Sequence, residues 1–154
     1  MACYYIDSSA LVKRYVVEQG TSWIHSLCDT ADDHTIYVVR TSAVEIVAAL
    51  FRRARMGSLS PADAQAQAAQ FKNDMRHDYE IIEVTENLVA TAMALCERRR
   101  VRGYDAVQLA AALELHTMRT AFGLTPLTLV CADAELNAAA AAEGLAVDDP
   151  SMHA

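Results

Sequence analysis

Lysine is nearly missing from this sequence. Of its 13 basic residues only Lys13 and Lys72 are lysines, and none follows position 72. Long apolar runs are missing too: none approaches the roughly 18 residues that a membrane span needs. The amino terminus has no basic region leading into an apolar core, so no secretory signal is read there. The expectation is a cytoplasmic protein with no membrane partner. No GxGxxG run occurs, which argues against a dinucleotide site and any nucleotide cofactor. Cysteine is sparse: Cys3, Cys28, Cys96 and Cys131 stand far apart, form no CxxC pair and each fall in an apolar stretch. They are expected to be buried small hydrophobes rather than disulfides or zinc ligands. The five histidines show no HxxxH spacing. Internal repeats and linkers are also lacking.

What is present suits one domain. The chain has 154 residues, 53% of them hydrophobic, enough for a proper core. Its formal net charge of −7 argues against a protein that coats nucleic acid, which needs a cationic face. The arginines are nonetheless clustered, at Arg52, Arg53 and Arg55 and again at Arg98, Arg99, Arg100 and Arg102. Guanidinium forks suit phosphate. The same clusters also suit helix C-termini, where cations offset the dipole.

Hydrophobic periodicity and turn residues give an alternating series. Short apolar strands are expected at 3–6, 35–39, 81–84 and 127–131, with a possible fifth at 145–147. Helices are expected at 8–17, 22–31, 42–56, 61–77, 86–100, 105–120 and 133–143, with a polar loop over 29–34. The helix at 61–77 is polar, with a thin seam of Ala64, Ala68, Phe71 and Met75. The helix at 86–100 places Leu88, Val89, Ala92, Leu95 and Cys96 on one face. Gly103 is expected to break the chain before the helix that follows, which is nearly all apolar in its first half. Strands alternating with helices give an α/β fold: three layers, α/β/α, around a central, mainly parallel sheet of four to five strands. A single domain over 1–148 and a short tail over 149–154 complete the reading.

Four acids stand at the punctuation of this pattern. Asp7 follows the first strand, where open α/β proteins place their chemistry. Glu45, Asp105 and Asp133 lie near the starts of later helices. Each has a plainer use. Asp7, Asp105 and Asp133 suit helix N-caps, and Ser42 with Glu45 spells a capping box. Right-handed crossovers, however, bring the strand ends to one edge. Carboxylates gathered there repel and need a cation. No lysine is available late in the chain, so either arginines or a hard divalent ion such as Mg²⁺ or Mn²⁺ must supply the charge.

The motifs YIDSSALVKRY, TSAVEIVAAL, RGYDAVQLAAA and CADAELNAAA, in that order, resemble the PIN-domain nucleases, and most of all the VapC-type toxins of bacterial toxin–antitoxin pairs. The resemblance covers essentially the whole chain. It implies a PIN-like central parallel sheet and metal-dependent endoribonuclease activity. It maps the acidic set onto Asp7, Glu45, Asp105 and Asp133, with Asp7, Asp105 and Asp133 as ligands of Mg²⁺ or Mn²⁺ and Ser9 as the hydroxyl beside them. Cys131 stands where the family often carries Ser or Thr. RNA as substrate, a homodimer and inhibition by a cognate antitoxin are implied as well. In that picture Arg52, Arg53 and Arg102 grip RNA phosphates, and the helix pair ending at 77 is an arm for the antitoxin. The competing reading is a catalytically silent PIN-like binding or scaffold module. A phosphoacceptor receiver domain is disfavoured, because it needs an acid pair after the first strand and a late lysine.

Overall fold

The computed structural model describes residues 2–29 and 33–154. Strand β1 (Ala2–Ile6) leads into α1 (Ser8–Leu11), a 3₁₀ turn at Val12–Arg14 and α2 (Thr21–Asp29). Then come β2 (His34–Val39), α3 (Ser42–Met56), α4 (Pro61–His77) and β3 (Glu80–Ile82). The rest is α5 (Glu86–Arg98), α6 (Gly103–Ala121), β4 (Leu127–Val130), α7 (Ala134–Ala142) and β5 (Ala146–Asp148), closed by a 3₁₀ turn at Pro150–Met152.

The strands form one sheet in the order β3-β2-β1-β4-β5, and every pairing is parallel. Period-2 alternation feeds both faces. On β1, Tyr5 joins a core with Leu88, Leu95, Leu109 and Leu129 beneath α5, α6 and α7. Its neighbour Ile6 joins the opposite core with Leu11, Ile24, Ile46, Leu50 and Phe71 beneath α1 to α4. Burial on both faces explains why the strands read as apolar runs. The three-layer α/β/α architecture expected from the sequence is the one observed.

Several boundaries differ. The first helix stops at Leu11 rather than 17, because Arg14 and Tyr15 turn inward to bond Tyr79 and Asp74. β3 begins at Glu80, since its register with Tyr37, Val38 and Val39 of β2 places the paired segment earlier. Gly103 does not separate two elements but opens α6, after Arg102 in extended backbone. The seam of α5 is narrower than expected: Leu88, Ala92 and Leu95 are buried, whereas Val89 and Cys96 are exposed. Cys96 is therefore not the buried hydrophobe expected of it, while the other three cysteines are buried and all four are free thiols. The middle of the expected loop over 29–34 and the last two residues of the expected second helix fall on 30–32, outside the described residues, while Asp29 ends α2 and His34 already begins β2.

The segment expected as a tail is seated on α2. Pro150 is buried, Gln19 donates to the Ser151 carbonyl, and His153 stacks on Trp23 at 4.0 Å between ring centroids. Among the described residues no helix is long and apolar enough to cross a membrane.

Candidate active site

The strand order fixes where a site can form. From β1 the chain winds outward to β2 and β3, then crosses back to β4 and β5 on the other side. The direction therefore reverses between β1 and β4, and a crevice opens at their carboxyl ends. Asp7 and Asp133 follow those two strands, and Glu45 and Asp105 enter from the first turns of α3 and α6.

Asp7 is almost fully buried, at 2% exposure. It caps α1, with Oδ1 accepting from the Ala10 backbone N–H at 3.2 Å and from the Ser9 hydroxyl at 2.8 Å. Burial outweighs these donors and pushes its carboxyl up to about 7. Ser9 also accepts from the backbone N–H of Ala132 at 3.0 Å, and the Cys131 sulfur stands 3.7 Å away. One hydroxyl thus orients Asp7 and ties the end of β1 to the end of β4. Cys131 takes the backbone N–H of Asp133 on its sulfur at 3.3 Å, so a thiol fills that joint.

Glu45 does not close a capping box. Thr41 is the N-cap residue of α3 and makes no side-chain cap bond, while Ser42 is turned fully inside. Glu45 instead accepts from the Ser8 hydroxyl on Oε2 at 2.6 Å and from the Gln108 amide on Oε1 at 3.0 Å. Asp105 is not a cap either. It is half-buried in the first turn of α6, and its carboxyl is raised by burial, then by the charges of Asp133 and Glu45, with Arg102 opposing. Asp133 does cap α7, accepting from the backbone N–H of Leu136 at 3.0 Å. Capping and membership of the acid cluster therefore coexist at Asp7 and Asp133.

The four acids expected from the sequence share one end of the sheet. Asp105 feels Asp133 and Glu45, and the phenol of Tyr5 is raised by burial and then by Asp7 and Glu45 together. The donors are all hard oxygens, chemistry that fits Mg²⁺ or Mn²⁺. Asp105, raised first by burial and then by Asp133 and Glu45 with Arg102 opposing, lies where a cation would relieve the repulsion. Among the described residues no three His, Cys, Asp or Glu side chains are placed to hold a metal as they stand. The carboxylates are gathered without being closed on one point.

The arginines divide. Arg52 and Arg102 are exposed, whereas Arg53 is paired with Glu18 at 3.0 Å, and Glu18 also holds Lys13 at 3.1 Å. Arg98 and Arg99 both pair with Glu143. Three participants were not anticipated: Ser8, Gln108 and Tyr5. The one available signal was Gln108, a lone polar residue inside AVQLAAAL.

Comparison with solved structures identifies the fold. PAE2754 from Pyrobaculum aerophilum superposes with a TM-score of 0.64 at 20% identity, over 98% of this chain and 91% of that one. Mycobacterium tuberculosis VapC20, a sarcin–ricin loop cleaving toxin, gives 0.62 at 16%, over 92% and 95%. VapBC2 from Rickettsia felis, bound to a DNA fragment from their promoter, gives 0.61 at 14%, over 96% and 98%. The fold is PIN-like. No protein-family model matches the sequence, nor does any curated protein, so what the chain shares with these structures is its architecture. Within the PIN-like fold the acid cluster occupies the crevice at the switch point of the sheet.

Proposed function

We propose that this chain is a metal-dependent endoribonuclease, the toxin of a toxin–antitoxin pair. The observation that carries the reading is the gathering of Asp7, Glu45, Asp105 and Asp133 at the crevice of a PIN-like fold, with Asp7 buried. The fold shared with VapC20 and the four sequence motifs support it.

Asp7, Asp105 and Asp133 would hold Mg²⁺ or Mn²⁺. When bound, such an ion supplies Lewis-acid stabilisation of the phosphodiester and a more acidic water. Ser9 fixes the orientation of Asp7. Glu45, held on both oxygens, orients the attacking water or takes its proton. Arg102 at the rim and Arg52 further along α3 meet the RNA phosphates. Hydrolysis proceeds by in-line attack of water on phosphorus, with the RNA oxygen leaving on the opposite side.

An antitoxin would cover this centre, with opposite charge serving recognition. α3 and α4 form the arm for it. Between them and β3 lies a groove of about 930 Å³ lined by Val44, Val47, Phe71, Met75 and Ile81, with Arg40, Lys72 and Arg76 among its walls. α3 thus presents Glu45 to the acid cluster and Val44 and Val47 to the groove. A homodimer is the assembly the resemblance implies, and sedimentation of the purified chain reads it.

The silent-module reading draws on the open ligand set. One experiment separates the two. Purified protein is incubated with defined RNAs and Mg²⁺ or Mn²⁺, with and without EDTA, beside Asp7→Asn prepared identically. Cleavage by the unmodified chain alone, abolished by EDTA, supports the nuclease. Equal cutting by both proteins, or no specific Mn²⁺ site by titration, sinks it.

A further inference from the structure

Gln108 is completely buried in a helix whose surrounding residues are almost all apolar. A primary amide in such a place costs stability unless its donors and its acceptor are all used. Here they are. The amide oxygen accepts from the Tyr5 hydroxyl at 2.6 Å, and the nitrogen donates to Ser42 Oγ and to Glu45 Oε1, each at 3.0 Å. The orientation of the amide follows from its partner. A carboxylate only accepts, so the nitrogen must face Glu45. Tyr5 then meets the oxygen and must donate. The direction of every bond in the chain from β1 through α6 to α3 is set by the carboxylate at its end.

On the other side Ser8 donates to Glu45 Oε2 at 2.6 Å. The carboxylate is clamped between α1 and α6, one donor on each oxygen. Gln108 also lies three residues after Asp105, on the same side of α6. The helix that delivers one acid therefore aims another.

We propose that Gln108 is a positioning residue. It holds the carboxylate of Glu45 in its working orientation toward the acid cluster, and is itself held by Tyr5. This rests on the nuclease reading above. A plainer role is that Gln108 merely satisfies a polar spot in the core. The two differ in one respect: positioning acts through Glu45 and has no effect once Glu45 is disabled.

The test is a double-mutant cycle. Gln108→Met keeps length and volume and removes the donors. It is made in the unmodified chain and in Glu45→Gln, with single-turnover cleavage of an RNA that the unmodified chain cuts, in Mn²⁺. The expected result is a loss of about 10- to 100-fold in the rate constant with little change in KM, shrinking to about 2-fold or less in the Glu45→Gln background. Equal losses in both backgrounds overturn the proposal. Should Gln108→Met fold poorly, Tyr5→Phe removes only the bond that steadies the amide, and must show a smaller loss with the same dependence on Glu45. The clamp is also read without activity. Side-chain amide protons of Gln108 bonded to a carboxylate should resonate downfield and exchange slowly in NMR spectra, and lose both properties in Glu45→Ala. Absence of that signature overturns the clamp while leaving the nuclease reading intact. If the signature is present and the unmodified chain cuts no RNA with metal, the nuclease reading fails, and the proposed role fails with it.

Discussion

Among the four acids Asp7 is the most strongly shifted by burial. Free aspartate loses its proton near 3.8, but the buried carboxyl of Asp7 does so at about 7. Between those values the folded chain keeps a proton that the unfolded chain has lost. The stability contributed by the neutral carboxyl is full below about 4 and is lost as the pH rises through about 7. Asn cannot ionise, yet its side-chain oxygen still accepts from Ser9 and Ala10. Asp7→Asn should therefore be more stable than the unmodified chain in EDTA, by about 4 kcal/mol at pH 8, with the gain shrinking toward zero near pH 4. Urea denaturation at three pH values checks this. A gain independent of pH would mean that burial does not set the ionisation of Asp7. The same substitution should abolish metal-dependent cleavage, so stability and activity would move in opposite directions, as they do where a site is kept strained for function. Asp7 and Asp133 were legible in the sequence because each sits where a strand hands over to a helix, a place read from local pattern alone. Gln108 was not. Its partners Tyr5 and Ser42 lie 103 and 66 positions away, and periodicity carries no information about a bond across three elements. At Glu45 the local capping alternative loses to donors from α1 and α6, which no local pattern announces.

Among the elements, α4 depends on the body for its stability. Its seam is thin, and its surface is mostly polar. Beside the apolar contacts a buried polar cluster holds it. Asp74 is 2% exposed and accepts from Tyr15 at 2.6 Å and from Gln70 at 2.8 Å, with Arg14 at 3.3 Å. Tyr79 closes the cluster with bonds to Tyr15 and Arg14, each at 2.6 Å. Asp74 is the buried partner of Arg14, whereas Asp29 and Asp78, at 3.6 and 3.7 Å, are solvent-exposed and screened, so removing Asp74 weakens the pairing of Arg14 and takes an acceptor from Tyr15 and Gln70. Asp74→Ala should destabilise the fold by about 3 kcal/mol, and hydrogen exchange should show the loss of protection concentrated in α4. Uniform loss across the sheet would mean that the cluster is not a local anchor. This cluster also explains where element boundaries were hidden. The limits of α3 and α4 were legible because Gly57 and the Ser60–Pro61 pair end and start helices by their own chemistry. The early end of α1 was not, because Arg14 and Tyr15 leave the helix for partners near position 75.

At the scale of the molecule, chain closure and charge matter most. Gly20 has φ +91°, and a Cβ there would stand 2.5 Å from the Pro150 carbonyl oxygen. Gly20→Ala should cost about 2 kcal/mol or more and loosen the carboxyl-terminal turn, which Trp23 reports through its stack on His153. Unchanged Trp23 fluorescence would show that the turn tolerates the clash. Charge poses the other question, how a chain of net −7 would meet the RNA substrate proposed for it. Composition could not rank the arginines, but pairing does. Arg53, Arg98 and Arg99 already have carboxylate partners within 3.0 Å, so only breaking those pairs would free them for phosphate. Arg52 and Arg102 are exposed, and Arg102 stands close enough to Asp105 to oppose its raised carboxyl. Arg102→Ala and Arg52→Ala should each weaken RNA binding and reduce the slope of log K against log salt by about 1, the signature of one lost phosphate contact. Arg53→Ala should change that slope little and instead lower stability slightly by releasing Glu18. Binding titrations at several salt concentrations, with Ca²⁺ in place of Mg²⁺ to limit cleavage, measure all three. If Arg53 weakens the slope as much as Arg102 does, then Glu18 yields its arginine when RNA arrives, and the RNA path runs along α3 rather than around the rim of α6.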